Sequence, residues 1–257
     1  MPRYFIQMAY NGANYHGWQV QPNAVSVQAE LEKALTVVLR LPIAVVGAGR
    51  TDTGVHASFF VAHFEMPHPI EDLKHLTYKL NSFLSNAIRI DLIFEVASDL
   101  HARFSASSRT YRYFISTRKE PFREATVAYV PYDLDVDMMN EAAQALLSTI
   151  DFTSFSKLHT DVKTNNCKVS VARWYRHDGL LVFEIKADRF LRNMVRAIVG
   201  TLMDVGREKI TKEEFFKIIE LHDRGLAGAS AYAKALFLTD ISYPEPYNSS
   251  FIRYPIV

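Results

Sequence analysis

The densest concentration of reactive side chains lies in GAGRTDTGVHA, residues 47–57. There a carboxylate (Asp52), a guanidinium (Arg50), two hydroxyls (Thr51 and Thr53) and an imidazole (His56) share one glycine-bounded connection. A carboxylate is ionised at neutral pH and can attack an electrophile without first losing a proton. A cation such as Arg50 would keep it charged and aimed. On composition alone the plainer reading is a tight inter-strand turn, with Asp52 accepting backbone N–H bonds and Arg50 facing solvent. The glycines at 47, 49 and 54 match neither G-x-G-x-x-G nor a P-loop ending in Lys-Ser/Thr, so a phosphate cradle is set aside.

Other chemistries find less support. Among the nine histidines, His56 and His63 stand seven apart and His68 and His75 are scattered. No pair has H-x-x-x-H spacing on a helix or a cysteine partner, so no metal site is expected. Cys167 is the only cysteine. It can form no intramolecular disulfide and has no evident His-Asn constellation, which points to a reducing, cytoplasmic setting and no thiol catalysis.

Elements that must position these residues can be read from periodicity. Residues 3–10 alternate as a strand, and Ser26 can cap a helix carrying Val27, Leu31, Ala34, Leu35 and Val38 that Pro42 ends. Strands are expected at 43–46 and 59–64 on either side of the reactive segment, a helix at 71–84 and a strand at 90–96. The order strand, helix, strand, strand, helix, strand is that of a ferredoxin-like split βαβ unit. It recurs with a strand at 109–117, a helix at 135–147 and a hairpin of 168–176 with 180–186 about Asp178-Gly179. A helix at 190–205, a second one opened by a Thr211/Glu214 capping box and a strand at 236–241 complete the set.

The chain has 257 residues, 49% of them hydrophobic and 22% charged, enough for two such halves and far from the composition of a disordered polymer. No run of about 18 apolar residues is present, and residues 1–12 lack a basic stretch followed by a long apolar one, so neither a membrane span nor a signal peptide is expected.

GRTDTGVHA closely resembles the nucleophile motif of the tRNA pseudouridine synthase A family. Five further segments resemble that family in order along the chain: YNGANYHGWQ with SVQ at 26–28, HARFSASSRTYRYFI at 101–115, DFTSF at 151–155, FLRNMVRAIVG at 190–200 and ALFLTDISY at 235–243. The resemblance implies an α+β fold of two ferredoxin-like halves, here 1–104 and 105–257. These would join into one extended, mostly antiparallel sheet with helices on one face and a central RNA-binding cleft. It implies an isomerase that converts uridine to pseudouridine at positions 38, 39 and 40 of the tRNA anticodon stem-loop, working as a homodimer with one tRNA contacting both subunits.

By the same resemblance Asp52 is the nucleophile, Arg50 its neighbour, Arg196 the arginine that pairs with it, Tyr111 the ring that stacks on the uracil and Leu236 an apolar pocket residue. His56 would contact RNA phosphate or brace the loop. The reaction breaks the N-glycosidic bond and joins C5 to C1′ of the same ribose without redox change, so no cofactor is expected. The target base must leave its helix before any atom can be attacked, and an aromatic ring is the usual receiver. Taken without the resemblance, Tyr111 and Leu236 would be core residues and Arg196 a solvated helix position.

Thr53, Val20, Tyr232 and Ala235 depart from the family pattern, but none of them removes the nucleophile, the tyrosine or the arginine. A catalytically inactive RNA-binding module of the same fold is the main alternative, although a binder has no need of a carboxylate where anionic RNA must approach. An aspartate-nucleophile phosphatase is a weaker one, since no second aspartate stands two residues after Asp52.

Net charge is only +1, which by itself recommends no polyanionic partner. The charge is unevenly placed, however. Residues 103–123 hold Arg103, Arg109, Arg112, Arg118, Lys119 and Arg123 against Glu120 alone, and 186–196 hold Lys186, Arg189, Arg192 and Arg196 against Asp188. Two basic stretches therefore lie in segments that the resemblance places at the active site.

Overall fold

Alternation in RYFIQMAY forms β1 (Arg3–Tyr10), which pairs antiparallel with β3 (His56–Glu65) on one side and β4 (Ile88–Val96) on the other. Between them run α1 (Val27–Leu39), the two-residue β2 (Val46–Gly47) and α2 (Leu73–Phe83). Ser26 caps α1 by accepting the Ala29 N–H, as expected. The helix stops at Leu39, where Arg40 turns left-handed at φ 58°, two residues before Pro42. The strand expected at 43–46 reduces to β2, which pairs with His63 and Ala62 of β3.

The computed structural model describes residues 1–157 and 163–254. The chain divides into two compact units, Met1–Ser108 with Leu238–Val257, and Arg109–Phe237. The sequence suggests a single division at 104/105, whereas the last twenty or so residues return to the first unit. The reason is packing. Phe5, Phe59 and Phe94 share one face of the first unit's sheet, and the rings of Tyr243 and Phe251 cover it at centroid distances of 5.2–6.4 Å. Burial of such rings is worth roughly 1.5–3 kcal/mol each, and Gln7 further ties down Ile252 by accepting its N–H at 2.9 Å.

In the second unit β5 (Ser108–Ser116) pairs antiparallel with β8 (Leu180–Ala187), which pairs antiparallel with β7 (Val169–His177); the short β6 (Ala128–Tyr129) adds a parallel pairing to β5. The β7–β8 turn has positive φ at both Asp178 and Gly179, the requirement of a type I′ hairpin. Asp135 caps α3 (Val136–Ala143), and α4 (Ala145–Ser148) follows, so the single helix expected at 135–147 is broken in two.

The helix expected from residue 190 starts only at α5 (Met194–Gly206), because Asn193 adopts φ 66° and keeps FLR out of it. The predicted capping box of α6 (Lys212–Glu220) is present in full. β9 (Leu236–Ser242) lies beside β3 in the first unit from Leu238 onward, followed by the single-turn α7 (Tyr247–Ser250). The fold is α+β with mostly antiparallel strands.

Candidate active site

The reactive segment leaves the sheet after β2 and re-enters it at β3. Ala48 donates to the Val61 carbonyl at 2.8 Å, so the loop is anchored at its first residue. At its tip Val55 N–H closes a turn onto the Asp52 carbonyl at 3.1 Å, with Gly54 at φ 76°. The segment from Tyr10 to Trp18 lies along this loop and holds it at four points. Trp18 N–H donates to the Thr51 carbonyl (3.2 Å) and Gly54 N–H to the Tyr15 carbonyl (3.3 Å). Gly12 N–H donates to His56 Nδ1 (3.0 Å), and the Tyr10 and Thr51 hydroxyls pair at 2.9 Å.

Two glycines make that approach possible. A Cβ on Gly12 would stand 2.0 Å from the Val55 carbonyl oxygen, and one on Gly17, which has φ 88°, would stand 2.3 Å from the Thr51 carbonyl oxygen. Both neighbours are backbone, so the loop would have to move. The backbone on either side of Asp52 is thus fixed by the Tyr10–Trp18 segment.

The loop carries Asp52, Thr51 and His56 within this unit. Asp52 is half-buried, Thr51 and His56 are buried, and Arg50 and Thr53 are exposed. His56 is 1% exposed and its Nδ1 accepts a backbone N–H. That bond ties the His56 ring to the Gly12 backbone. Arg50 makes no ion pair among the described residues.

The second unit holds Tyr111, Arg196 and Leu236. Tyr111 is half-buried on β5, opposite Ile185, and its ring meets Phe190 edge to face at 5.1 Å. Tyr113, two residues on and pointing the same way, is 1% exposed, and burial pushes its phenol pKa up while the nearby Arg196 charge opposes the shift. Leu236 is buried at the start of β9. Arg196 leaves α5 half-buried with its Nε donating to the Ala231 carbonyl at 2.7 Å, and Ala231 N–H returns a bond to the Arg196 carbonyl at 3.0 Å. With Nε engaged, any oxyanion that Arg196 serves is met by its two terminal nitrogens.

The basic stretch 103–123 is less cationic in the fold than in the sequence. Arg112 pairs with Glu184, Arg118 with Glu120 and Arg123 with Asp178. Among the described residues no group of three or more His, Cys, Asp or Glu could hold a metal ion, and no helix is long and apolar enough to cross a membrane.

Sequence comparison decides what kind of protein carries this arrangement. Residues 142–244 match a family model described as tRNA pseudouridine synthase. The chain is 53% identical over 245 residues to the tRNA pseudouridine synthase A of Parabacteroides distasonis, covering 95% of this chain and 97% of that protein. The chain belongs to the tRNA pseudouridine synthase A family. Similar full-length matches extend to the enzymes of the same name from Bacteroides thetaiotaomicron (54%, covering 95% of this chain and 92% of that protein) and Aliivibrio salmonicida (41%, covering 96% and 94%).

Membership makes the chain one of a family of isomerases. The braces at Tyr10, Gly12 and Gly17 are not legible as such in the sequence. The signal available there is two glycines in YNGANYHGW at places where backbone meets backbone, with no indication of which backbone.

Proposed function

We propose that the chain isomerises uridine to pseudouridine in tRNA, at positions 38, 39 and 40 of the anticodon stem-loop, with Asp52 as nucleophile. The observation that carries the reading is the Asp52 loop itself. A carboxylate sits on a turn whose backbone is fixed from both sides by the Tyr10–Trp18 segment, in a chain of a pseudouridine synthase family.

In the reaction the N1–C1′ bond breaks, a C5–C1′ bond forms, the proton of C5 is lost and N1 gains one; nothing is oxidised. An Asp52 oxygen bonds transiently to an electrophilic carbon of the nucleotide, C6 of uracil or C1′ of ribose, and leaves again on product formation. Arg196 supplies the cation that keeps this carboxylate ionised and aimed. Tyr111, half-buried on β5, receives the extruded uracil, and Leu236 lines its apolar side. Arg50 stands exposed next to the nucleophile to meet RNA, and His56 braces the loop. The enzyme acts in the cytoplasm as a homodimer and needs no cofactor.

Incubation with unmodified tRNA tritiated at uracil C5 tests this reading: tritium is released as pseudouridine forms, and sequencing of the product locates the new base at 38, 39 or 40. Binding without release would instead favour the inactive RNA-binding module, and release from other positions would overturn the site assignment.

A further inference from the structure

Arg224 lies outside every motif of the candidate site, and the described residues offer it no acidic partner. Its half-buried guanidinium is spent on a single short segment instead. Nη1 donates to the carbonyls of Ala227 and Gly228, both at 3.3 Å, and Nη2 donates to the Ser230 hydroxyl at 3.0 Å. The same hydroxyl accepts a bond of 2.6 Å from the Asn193 amide at the N-terminus of α5. The next residue is Ala231, whose carbonyl holds Arg196 Nε and whose N–H bonds the Arg196 carbonyl.

Residues 227–231 therefore form a strap along α5. Gly228 N–H is fixed to Thr201 Oγ1 at 2.9 Å, and at Gly200 the helix and strap come so close that a Cβ there would lie 1.8 Å from the Ala229 carbonyl oxygen. A planar cation with five donors is suited to gathering several carbonyls and a hydroxyl into one geometry.

We propose that Arg224, acting through Ser230 and the 227–231 strap, is a positioning residue that sets the direction of the Arg196 guanidinium. The inference rests on the proposed role of Arg196 and adds a residue that acts without touching substrate. Arg196 is held at Nε by one carbonyl, and that carbonyl is held by the strap. Through the Nε bond to Ala231, the direction of the Arg196 guanidinium depends on where the strap lies. A misplacement of about 1 Å in a charge partner costs up to the order of 100-fold in rate.

The experiment is a double-mutant cycle on the full-length enzyme, reading kcat and KM for tRNA by tritium release, with circular dichroism melting as a fold control. Arg224→Ala is expected to lower kcat roughly 10- to 100-fold with KM within about twofold, and Arg224→Lys to recover part of the loss. Because Arg224 acts through Arg196, Arg224→Ala added to Arg196→Ala should lower kcat no further. Should Arg224→Ala fail to fold, Ser230→Ala, which removes a single hydroxyl, carries the same cycle and is expected to lose roughly 3- to 10-fold in kcat.

Losses that multiply across the cycle, or a melting shift with unchanged kcat, would overturn the positioning role. If Arg196→Ala itself left kcat unchanged, the failure would lie in the assignment of Arg196 as the charge partner, a distinguishable result that would overturn both.

Discussion

Replacing Gly17 by alanine probes whether the Tyr10–Trp18 segment positions the Asp52 loop. The added Cβ would lie 2.3 Å from the Thr51 carbonyl oxygen and 3.2 Å from the Asp52 carbonyl carbon, where ordinary contacts begin at 3.4 Å. One of the two segments must retreat by roughly 1 Å. Gly17 also sits at φ 88°, a conformation that costs an L-residue about 1–2 kcal/mol. Overpacking against backbone adds about 1–3 kcal/mol, so a loss of about 2–5 kcal/mol in stability is expected.

Retreat would also strain the Trp18 N–H bond to the Thr51 carbonyl and shift Asp52, for which a loss on the order of 100-fold in kcat is expected. Gly49 provides the control, because a Cβ there meets nothing within 4 Å. Denaturant titration and tritium release on G17A and G49A measure both quantities. Native stability and native kcat in G17A, or equal damage in the two variants, would refute the bracing of Asp52 by this segment.

His63 on β3 accepts the Ala102 N–H through Nδ1 at 3.1 Å and meets the His101 ring at 4.7 Å. Burial, reinforced by the His101 and Arg3 charges and opposed by Glu65, pushes its pKa down to about 4. Between pH 6.5 and 4 the unfolded chain therefore binds the additional proton, so stability falls as pH drops through that window, by up to about 1.4 kcal/mol per unit. His63→Asn keeps an acceptor near Nδ1 and should flatten the slope in pH-dependent denaturation; His101, also lowered by burial, leaves a remainder, and an unchanged slope would contradict the assignment. Glu184 is raised by burial, but bonds from Arg112 and Arg173 outweigh this and hold its carboxyl below the usual range. Its contribution is present at neutral pH and lost as pH falls through the depressed value, and Glu184→Gln should cost about 1–3 kcal/mol at pH 7 by the same titration. Arg50→Ala should change stability by less than about 0.5 kcal/mol, since the side chain is exposed, yet lower kcat/KM by at least about tenfold if it meets RNA; unaltered turnover would remove Arg50 from the site.

Local signals are the ones a linear reading carries well. The Asp178-Gly179 hairpin, the Ser26 cap and the Thr211/Glu214 box each depend on a few adjacent residues, and each stands where those residues place it. Departures come where distant packing decides. Asn193 delays α5 by taking a left-handed conformation that no local pattern announces, and it does so while its amide bonds Ser230, thirty-seven residues away.

The return of Tyr243 and Phe251 to the first unit is likewise a contact with Phe5, across most of the chain. For the site, Asp52, Arg50 and His56 are identifiable as a reactive cluster from their density, but composition favours an ordinary turn. Only the resemblance to the pseudouridine synthases, now supported by full-length relatives, gives the cluster a chemistry. In the first unit the close approaches at Gly12 and Gly17, and in the second the strap along α5, are non-local backbone contacts and leave almost no trace in a linear reading.

The role of Asp52 is tested most directly by single-turnover tritium release from saturating C5-tritiated tRNA by Asp52→Ala, with the affinity of the variant for the same tRNA measured alongside. Loss of a nucleophile predicts a fall of at least about 10⁴-fold in release with affinity within about threefold of the unaltered enzyme. Release within about tenfold of the unaltered rate would show that another group forms the covalent bond.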